Sequence, residues 1–345
     1  MLIDPHIRAP SATPLMHGGD LVAARQMFPA APEPFIDLST GINPHPYPLP
    51  PLPADIFARL PDRAAIRRLA AVAAQNYGAP TADRVVPAPG TQILLPKVAM
   101  LVAPGRAAIL GPTYAEHLRA ARLVGHDAVE VSEIAQLRGA DLAIVVNPNN
   151  PDGRIVSKAT LLGIADDLRR RGGILVVDES FADVAPEGVS LSGDTADNIV
   201  VLRSFGKFFG LAGLRLGFAL AAPDIANRLD ASLGPWAVAG PAILIGQQAL
   251  ADRPWQSRTR ENLAATAGRL DSLLAGSGLE ILGGTSLFRL TRCANAGELF
   301  MHLGRAGVLL RRFLEDASWL RWGLPRSEAE WQRLSAALTA FRFAS

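Results

Sequence analysis

The sequence predicts an α/β protein built on a mostly parallel sheet flanked by helices, and three observations support this. Short apolar runs alternate with helical stretches between residues 85 and 202. Continuous apolar runs are typical of parallel strands, because helices cover both faces of such a sheet. Two of these runs end in polar residues, as strands do where a sheet presents a site at its carboxyl edge. After about residue 235 the alternation weakens, which predicts a smaller C-terminal domain.

The first sixty residues are rich in proline, which excludes long regular structure there. Apolar and turn residues are nevertheless embedded in this stretch, at residues 35–38 (FIDL) and 41–44 (GINP). An ordered segment uses such residues for packing and turns. We therefore predict an ordered entry segment rather than a disordered linker.

Residues 63–77 carry apolar side chains at helical spacing, and Gly78 follows where a helix would end. A strand at residues 85–86 then leads to Gly90 and Thr91, which open an apolar helix predicted from Ile93 to Val102. A glycine turn entering a helix offers backbone N–H groups and a positive dipole end to an anion. This turn is therefore a candidate phosphate site.

The alternation continues with a strand at residues 107–110, a turn at 111–114 (GPTY) that contains Tyr114, and a helix reaching Leu123. An apolar run at residues 143–146 then enters a rigid turn. That turn, NPNNPDG, contains Asn150, whose amide can donate a hydrogen bond to a ligand oxygen.

The next apolar run, residues 174–177, ends in Asp178 and Glu179. A carboxylate at this place would lie at the carboxyl edge of the sheet, where it can pair with a cationic group of a ligand. A further strand at residues 198–202 leads to Lys207. The polar ends of these strands are thus expected to lie close together.

Lys207 lies in a glycine-rich segment, residues 204–217, between Ser204 and Arg215. Flanking phenylalanines would disfavour the ammonium form, which predicts a lowered pKa and an amine that attacks aldehydes. These are Phe205, Phe208 and Phe209. Ser204 and Arg215 can hold a phosphate beside the amine. Taken alone, the segment fits a solvated loop lysine equally well.

Three motifs therefore occur in a fixed order: strand-NPNNPDG, strand-Asp-Glu, and Ser-x-x-Lys followed by Gly-x-Arg-x-Gly. With them, the chain resembles the fold-type I pyridoxal-phosphate enzymes of the class I/II aminotransferase superfamily over most of its length. Within this superfamily it is most similar to the branch of histidinol-phosphate aminotransferases and L-threonine-O-3-phosphate decarboxylases of cobalamin biosynthesis. The resemblance implies a large domain at residues 46–235, with an N-terminal arm (1–45) and a small α+β C-terminal domain (236–345).

The resemblance also implies roles around pyridoxal 5'-phosphate. Lys207 would bind the cofactor as a Schiff base and act in catalysis together with Asp178, which would pair with the pyridinium nitrogen. Asn150 would bind the phenolate oxygen, and Tyr114 would stack on the ring. The phosphate would be held by Gly90, Thr91, Ser204 and Arg215.

The core motifs fit both decarboxylation and transamination, because the bond that breaks is chosen by geometry. Residues 17–21 (HGGDL) and 37–44 (DLSTGINP) are similar to segments that open threonine-phosphate decarboxylases. This likeness implies decarboxylation of L-threonine O-3-phosphate to (R)-1-aminopropan-2-yl phosphate. The implied substrate contacts are His17, Gly18, Asn43, Asn150, Arg311 and Arg321. Two alternatives stay open: a histidinol-phosphate-type aminotransferase and a non-catalytic cofactor-binding subunit of the corrin pathway.

The sequence departs from the superfamily pattern at three positions. Phe181 stands where aminotransferases have a tyrosine bonded to the phenolate oxygen, which tells against an ordinary transaminase. Leu60 replaces a tyrosine that many relatives send across a dimer to the neighbour's cofactor phosphate. Asp152 replaces the usual threonine of the turn, where an Asx-type hydrogen bond would serve equally well.

Composition narrows the range of partners. The 345 residues carry a net charge of +2 with both signs interspersed, which does not indicate a nucleic-acid partner. Apolar runs are too short for a membrane span, and the first residues do not resemble an export signal, so a cytoplasmic protein is expected. The single cysteine, Cys293, gives neither a disulfide nor a metal-ligand spacing. From the resemblance alone we expect a homodimer.

Overall fold

The computed structural model describes residues 18–194 and 196–341. His17, one of the predicted substrate contacts, lies outside the described residues. The helices within these ranges are α1 (Leu21–Met27), α2 (Asp55–Ala58), α3 (Arg63–Tyr77), α4 (Leu94–Ala99), α5 (Glu116–Leu123), α6 (Lys158–Arg169), α7 (Phe205–Phe208), α8 (Pro223–Leu233), α9 (Gly240–Ala251), α10 (Arg253–Gly276), α11 (Ala296–Arg305) and α12 (Glu328–Ala340).

The strands in the same part of the chain fall into three sheets. They are β1 (Ile36–Asp37), β2 (Val85–Ala88), β3 (Arg106–Leu110), β4 (Asp127–Val131), β5 (Leu142–Val146), β6 (Ile174–Asp178), β7 (Ile199–Ser204), β8 (Gly217–Ala221), β9 (Glu280–Thr285), β10 (Phe288–Arg292), β11 (Val308–Leu309), β12 (Arg311–Arg312) and β13 (Trp319–Trp322).

The largest sheet has seven strands in the order β2-β8-β7-β6-β5-β3-β4. Strands β3 to β7 run parallel to one another, and β8 is antiparallel to both β7 and β2. Strands β5 and β6 are buried along their whole length. Their side chains enter two apolar clusters, one on each face, because successive residues of a strand point to opposite sides. The predicted α/β fold with a mostly parallel sheet is confirmed.

The register of this sheet brings the predicted polar strand ends together. Val146, the last residue of β5, pairs with Asp178 at the end of β6. Asp178 pairs in turn with Leu202 in β7. The turn after β5, the Asp178 carboxylate and the segment after β7 therefore share one edge of the sheet.

Helix α3 follows its predicted bounds. The Asp62 side chain accepts a hydrogen bond from the Ala65 N–H, and Gly78 closes the helix in a left-handed conformation with φ +78°. The helix predicted after Gly90 is shorter than expected. Residues 91–93 form a 3₁₀ turn, and α-helix is present only over α4, whose Pro96 fits a first turn because it has no N–H to donate.

The described part of the entry segment is ordered, as predicted. Strand β1 pairs in parallel with β11, so the segment is attached to the C-terminal part of the chain. A second sheet, in the order β12-β13-β10-β9, is antiparallel throughout. The division of the chain at residues 45 and 235 stays a prediction. Among the described residues, no helix is both long and apolar enough to cross a membrane.

Helix α10 begins five residues before the predicted Arg258. Asp252 accepts a hydrogen bond from the Trp255 N–H, and Pro254 occupies the first turn. Both features favour a helix start at this point.

Candidate active site

A cavity of about 500 Å³ lies at the carboxyl edge of the seven-stranded sheet. It is lined by residues from the N-terminal segment, the sheet edge and strands β12 and β13. The predicted site residues in its wall are Gly18, Gly90, Thr91, Tyr114, Asn150, Asp178, Ser204, Lys207, Arg215, Arg311 and Arg321. The fold thus brings most of the predicted site into one space.

Lys207 has the lowered pKa that the sequence predicted. Burial is the main cause, and the charges of Arg321 and Arg215 add to it. Together these effects outweigh the opposing charge of Asp178 and lower the pKa to about 8. The aromatic ring beside the Lys207 amine is that of Phe181, whose centroid lies 5.8 Å from Nζ.

The three flanking phenylalanines, expected to surround the amine, pack mainly on one another and on Trp255 in the core. Phe205 stacks on Phe209 with ring centroids 4.3 Å apart. The direction of the pKa shift is therefore confirmed, while the apolar ring beside the amine comes from a different part of the chain.

Asp178 is buried and ionised. Its burial opposes ionisation, but the hydrogen bond and charge of His117 and two hydrogen bonds from Ser180 together lower the pKa of the carboxyl group. His117 Nε2 lies 2.9 Å from Oδ2, and the Ser180 N–H donates to Oδ1 at 3.0 Å. Such a carboxylate can pair with a protonated ring nitrogen.

Sequence reasoning missed His117. A signal was present, because His117 follows the predicted stacking residue Tyr114 by three positions at the start of a helix. Residues three apart on a helix face the same side. The two rings indeed meet edge to face, with centroids 5.9 Å apart.

Tyr114 lines the cavity, and its hydroxyl donates to Gln92 Oε1 at 3.0 Å. Gln92 in turn donates to Glu116 Oε2 at 2.9 Å. Burial, together with the charges of Glu116 and Asp178, raises the pKa of Tyr114 to about 12. The hydroxyl therefore stays protonated at neutral pH and acts as a donor. Sequence analysis identified neither Gln92 nor Glu116.

Gly90 and Arg215 fit against each other at one end of the cavity. Gly90 has φ +84°, and a Cβ atom there would lie 2.5 Å from Arg215 Nη2. Arg215 itself adopts a left-handed backbone with φ +53°, which is unusual for a residue with a side chain. Thr91 and Ser204 line the same cavity. Hydroxyls, backbone N–H groups and a guanidinium are the donors that bind phosphate.

Arg321 is a buried cation held by neutral groups. Its Nη2 donates to the Ser39 carbonyl oxygen at 2.8 Å, and Nη1 donates to Asn150 Oδ1. Nε has no partner among the described residues. Burial, with a contribution from Arg311, outweighs the opposing charge of Asp37 and lowers the pKa of Arg321 to about 9. A buried guanidinium whose hydrogen bonds go to neutral acceptors is suited to an anionic ligand.

Arg311 lies directly opposite Arg321 in the β12-β13 pair. Burial lowers the pKa of Arg311 as well. Like charges at paired positions destabilise a sheet unless an anion lies between them. The cavity therefore presents two adjacent cations, which fits a ligand with two anionic groups.

Of the described residues predicted to bind substrate, Asn43 is the one outside the cavity lining. Its Nδ2 donates to the Phe208 carbonyl oxygen at 2.9 Å, and its Oδ1 accepts from the His45 N–H at 2.8 Å. Its own N–H donates to the Lys207 carbonyl oxygen at 3.0 Å. Asn43 therefore supports the backbone around Lys207, and its contact with the substrate stays a prediction.

The remaining departures behave in different ways. Asp152 Oδ1 accepts from the Arg154 N–H at 3.0 Å, which is the expected Asx-type hydrogen bond. Leu60 is 68% exposed.

Cys293 is half-buried with a free thiol. Within residues 18–194 and 196–341, no group of three His, Cys, Asp or Glu side chains is placed to hold a metal ion.

Comparisons with known proteins agree with this geometry. Residues 58–338 match the model of the family described as aminotransferase class I and II. The chain is 42% identical over 331 residues to a threonine-phosphate decarboxylase from Pseudomonas aeruginosa, covering 95% of this chain and 98% of that protein. It is 41% identical over 331 residues to one from a Sinorhizobium species, with the same coverage.

A solved structure with a similar fold is the histidinol-phosphate aminotransferase from Sinorhizobium meliloti in complex with pyridoxal-5'-phosphate. Its TM-score is 0.79 at 20% sequence identity, and the match covers 96% of each chain. At this identity the likeness concerns the fold. Because the family model spans most of the sequence and the two relatives match nearly its full length, the chain belongs to the class I and II aminotransferase family.

Proposed function

We propose that this protein is a pyridoxal-phosphate-dependent lyase that decarboxylates L-threonine O-3-phosphate to (R)-1-aminopropan-2-yl phosphate, a reaction of cobalamin biosynthesis. The observation that carries the proposal is the pair of adjacent cations, Arg311 and Arg321, in the wall that also contains Lys207. The substrate has two anionic groups, a carboxylate and a phosphate, and guanidinium groups bind both. The two threonine-phosphate decarboxylases at 42% and 41% identity support the same substrate.

Pyridoxal 5'-phosphate fits the donor set of this cavity. An amine with a pKa of about 8 is partly neutral near pH 7 and can react with the aldehyde. Asp178 is ionised and would hold the ring nitrogen in its protonated form. Gly90, Thr91, Ser204 and Arg215 would bind the phosphate, Asn150 the phenolate oxygen, and Tyr114 the ring face. When bound, the cofactor supplies an aldehyde for amines and a ring that withdraws electrons from the substrate's Cα.

Arg321 and Asn150 orient the substrate carboxylate in this proposal. Arg321 donates to Asn150 Oδ1, which leaves the Asn150 amide N–H groups to face the cavity. A carboxylate on Arg321 is fixed relative to the amine of Lys207, and this sets which Cα bond breaks. When the Cα–carboxylate bond breaks, its electron pair stays on the substrate, carbon dioxide departs, and Lys207 in its ammonium form donates a proton from Nζ to Cα.

Assembly and location are also proposed. We infer a homodimer, because exposed apolar side chains of α2 and of the residues just after it border a groove of about 350 Å³. A cytoplasmic location is consistent with one free cysteine in 345 residues.

The proposal is tested by incubating the purified protein and pyridoxal phosphate with L-threonine O-3-phosphate in the absence of any keto acid. Carbon dioxide and aminopropanol phosphate should form in equal amounts with the parent protein, and Lys207→Ala should release neither above background. Amino transfer from histidinol phosphate to 2-oxoglutarate, without carbon dioxide release, would instead assign the chain as an aminotransferase. Activity in neither assay would favour the non-catalytic cofactor-binding subunit.

A further inference from the structure

Residues 37–41 lie between the strand that carries Arg321 and the turn at Gly18 and Gly19. On one side, the Gly323 N–H donates to the Leu38 carbonyl oxygen at 2.6 Å. The Ser39 carbonyl oxygen accepts from Arg321 Nη2 at 2.8 Å. The orientation of the guanidinium therefore depends on where the Ser39 carbonyl lies.

The Ser39 hydroxyl makes hydrogen bonds to two neighbouring residues. Its hydroxyl donates to Asp37 Oδ1 at 2.5 Å, because an ionised carboxylate only accepts. The same hydroxyl oxygen accepts from the Gly19 N–H at 2.7 Å. Ser39 is 1% exposed. It thus connects Asp37, the Gly18-Gly19 turn and Arg321.

Gly18 packs on the atom that orients Arg321. A Cβ atom on Gly18 would lie 2.3 Å from the Ser39 carbonyl oxygen and 2.9 Å from its carbon. Contacts this short require the backbone of Gly18 or of Ser39 to move, since both Ser39 atoms belong to the backbone.

We propose that Gly18 and Ser39 are positioning residues that hold the Arg321 guanidinium in the orientation that binds the substrate carboxylate. The proposal rests on the proposed function, which supplies that carboxylate. In this proposal, Gly18 affects substrate binding through Ser39 and Arg321. A side chain at position 18 displaces the Ser39 carbonyl and turns the guanidinium away from the carboxylate.

The test compares ligands with and without a carboxylate on the cofactor-loaded full chain. The ligands are L-threonine O-3-phosphate and its decarboxylated product, which share the amine and the phosphate. Dissociation constants come from the initial absorbance change of the bound cofactor, so they do not require turnover. We expect Gly18→Ala to weaken binding of L-threonine O-3-phosphate by about tenfold, and that of the product by less than about twofold.

Gly268→Ala is the matched control, because Gly268 lies on the exposed side of α10 with no atom within 4 Å of an added Cβ. It should change neither constant. Ser39→Ala is a second variant without added bulk, and it should show the same selectivity through the loss of the Gly19 contact. Equal weakening of both ligands by Gly18→Ala and Ser39→Ala, or no weakening by either, overturns the proposal.

A crystal structure of Gly18→Ala gives an answer that does not depend on the reaction. We expect the Ser39 oxygen to move out of hydrogen-bond distance of Arg321 Nη2. An unchanged contact in that structure refutes the positioning role even if the protein decarboxylates the substrate. Conversely, if Gly18→Ala shows the expected displacement while the parent protein releases no carbon dioxide, the positioning role stands and the proposed function fails.

Discussion

Burial and neighbouring charges both lower the pKa of Lys207. Arg321 and Arg215 contribute positive charge to the same cavity, and the charge of Asp178 opposes them. A positive neighbour disfavours the ammonium form, so the fraction of neutral amine rises. The arginine proposed to bind the carboxylate thus also prepares the lysine for reaction.

Replacing Arg321 by glutamine should raise the pKa of Lys207. The change removes a charge that lowers this pKa while retaining a polar side chain. In the cofactor-free protein, acetylation of Lys207 measured by mass spectrometry from about pH 6 to about pH 10 should shift its midpoint upward from about 8. Arg311→Gln is the control and should move the midpoint less. A midpoint unchanged in Arg321→Gln would mean that the charge of Arg321 does not lower the pKa of Lys207.

His117 is expected to keep Asp178 ionised when the pH falls. Its hydrogen bond and charge lower the pKa of Asp178, so His117→Phe should raise that pKa and move the acidic limb of the activity profile to higher pH. Loss of a hydrogen bond to a charged group is worth about 1.5–3 kcal/mol, which corresponds to a fall in kcat of roughly tenfold or more. His302→Phe, on α11, serves as the control. A parallel drop at every pH, with no movement of the acidic limb, would contradict this role.

At the scale of elements, the site depends on the strand ends that present it. Arg203 in β7 donates to Glu179 Oε2 at 2.9 Å, just after β6, and to Asp183 Oδ1 at 2.7 Å. All three side chains are buried. This ion cluster connects the chain segments that follow Asp178 and precede Lys207.

Removing the cation from this cluster should destabilise the fold. Arg203→Met leaves two buried carboxylates without their partner, and breaking a buried pair costs about 3–5 kcal/mol. Arg269→Met removes a bidentate pair with Glu328 whose side chains are half-exposed or more, so solvent screening should make its loss much less costly. Urea unfolding of both variants measures the difference. Similar losses in the two variants would show that the cluster contributes little to stability.

The elements that could be predicted were those whose cause lies in neighbouring residues. The apolar runs of β5 and β6 and the glycine after α3 are read directly from the chain. The opposition of Arg311 and Arg321 depends on the register of two short strands, which local residues do not determine. The hydrogen bonds of Asn43 to the backbone around Lys207 could not be predicted either, because they join segments far apart in the chain.

At the scale of the whole molecule, both termini contribute to the site around the central sheet. The entry segment pairs with β11 and supplies Gly18 and Ser39, while β12 and β13 supply the two arginines. The sheet edge provides Lys207 and Asp178. The amine therefore comes from the sheet edge, and the two arginines come from strands near the end of the chain. In the proposed function this arrangement would separate the lysine that reacts with the cofactor from the arginines that bind the substrate.

The surface beside α2 is where we expect the second copy of the proposed homodimer. Phe57 is 67% and Leu60 is 68% exposed, and Ile56 and Leu60 line the groove between α2 and α9. Large apolar side chains exposed next to a groove mark an interaction surface. Sedimentation should give a dimer for the parent protein and a monomer for the double variant Phe57→Asp/Leu60→Asp. Leu123→Asp, at an equally exposed leucine at the end of α5, should stay dimeric. If the double variant stays dimeric while Leu123→Asp dissociates, the interface lies on the opposite edge of the sheet, near β4.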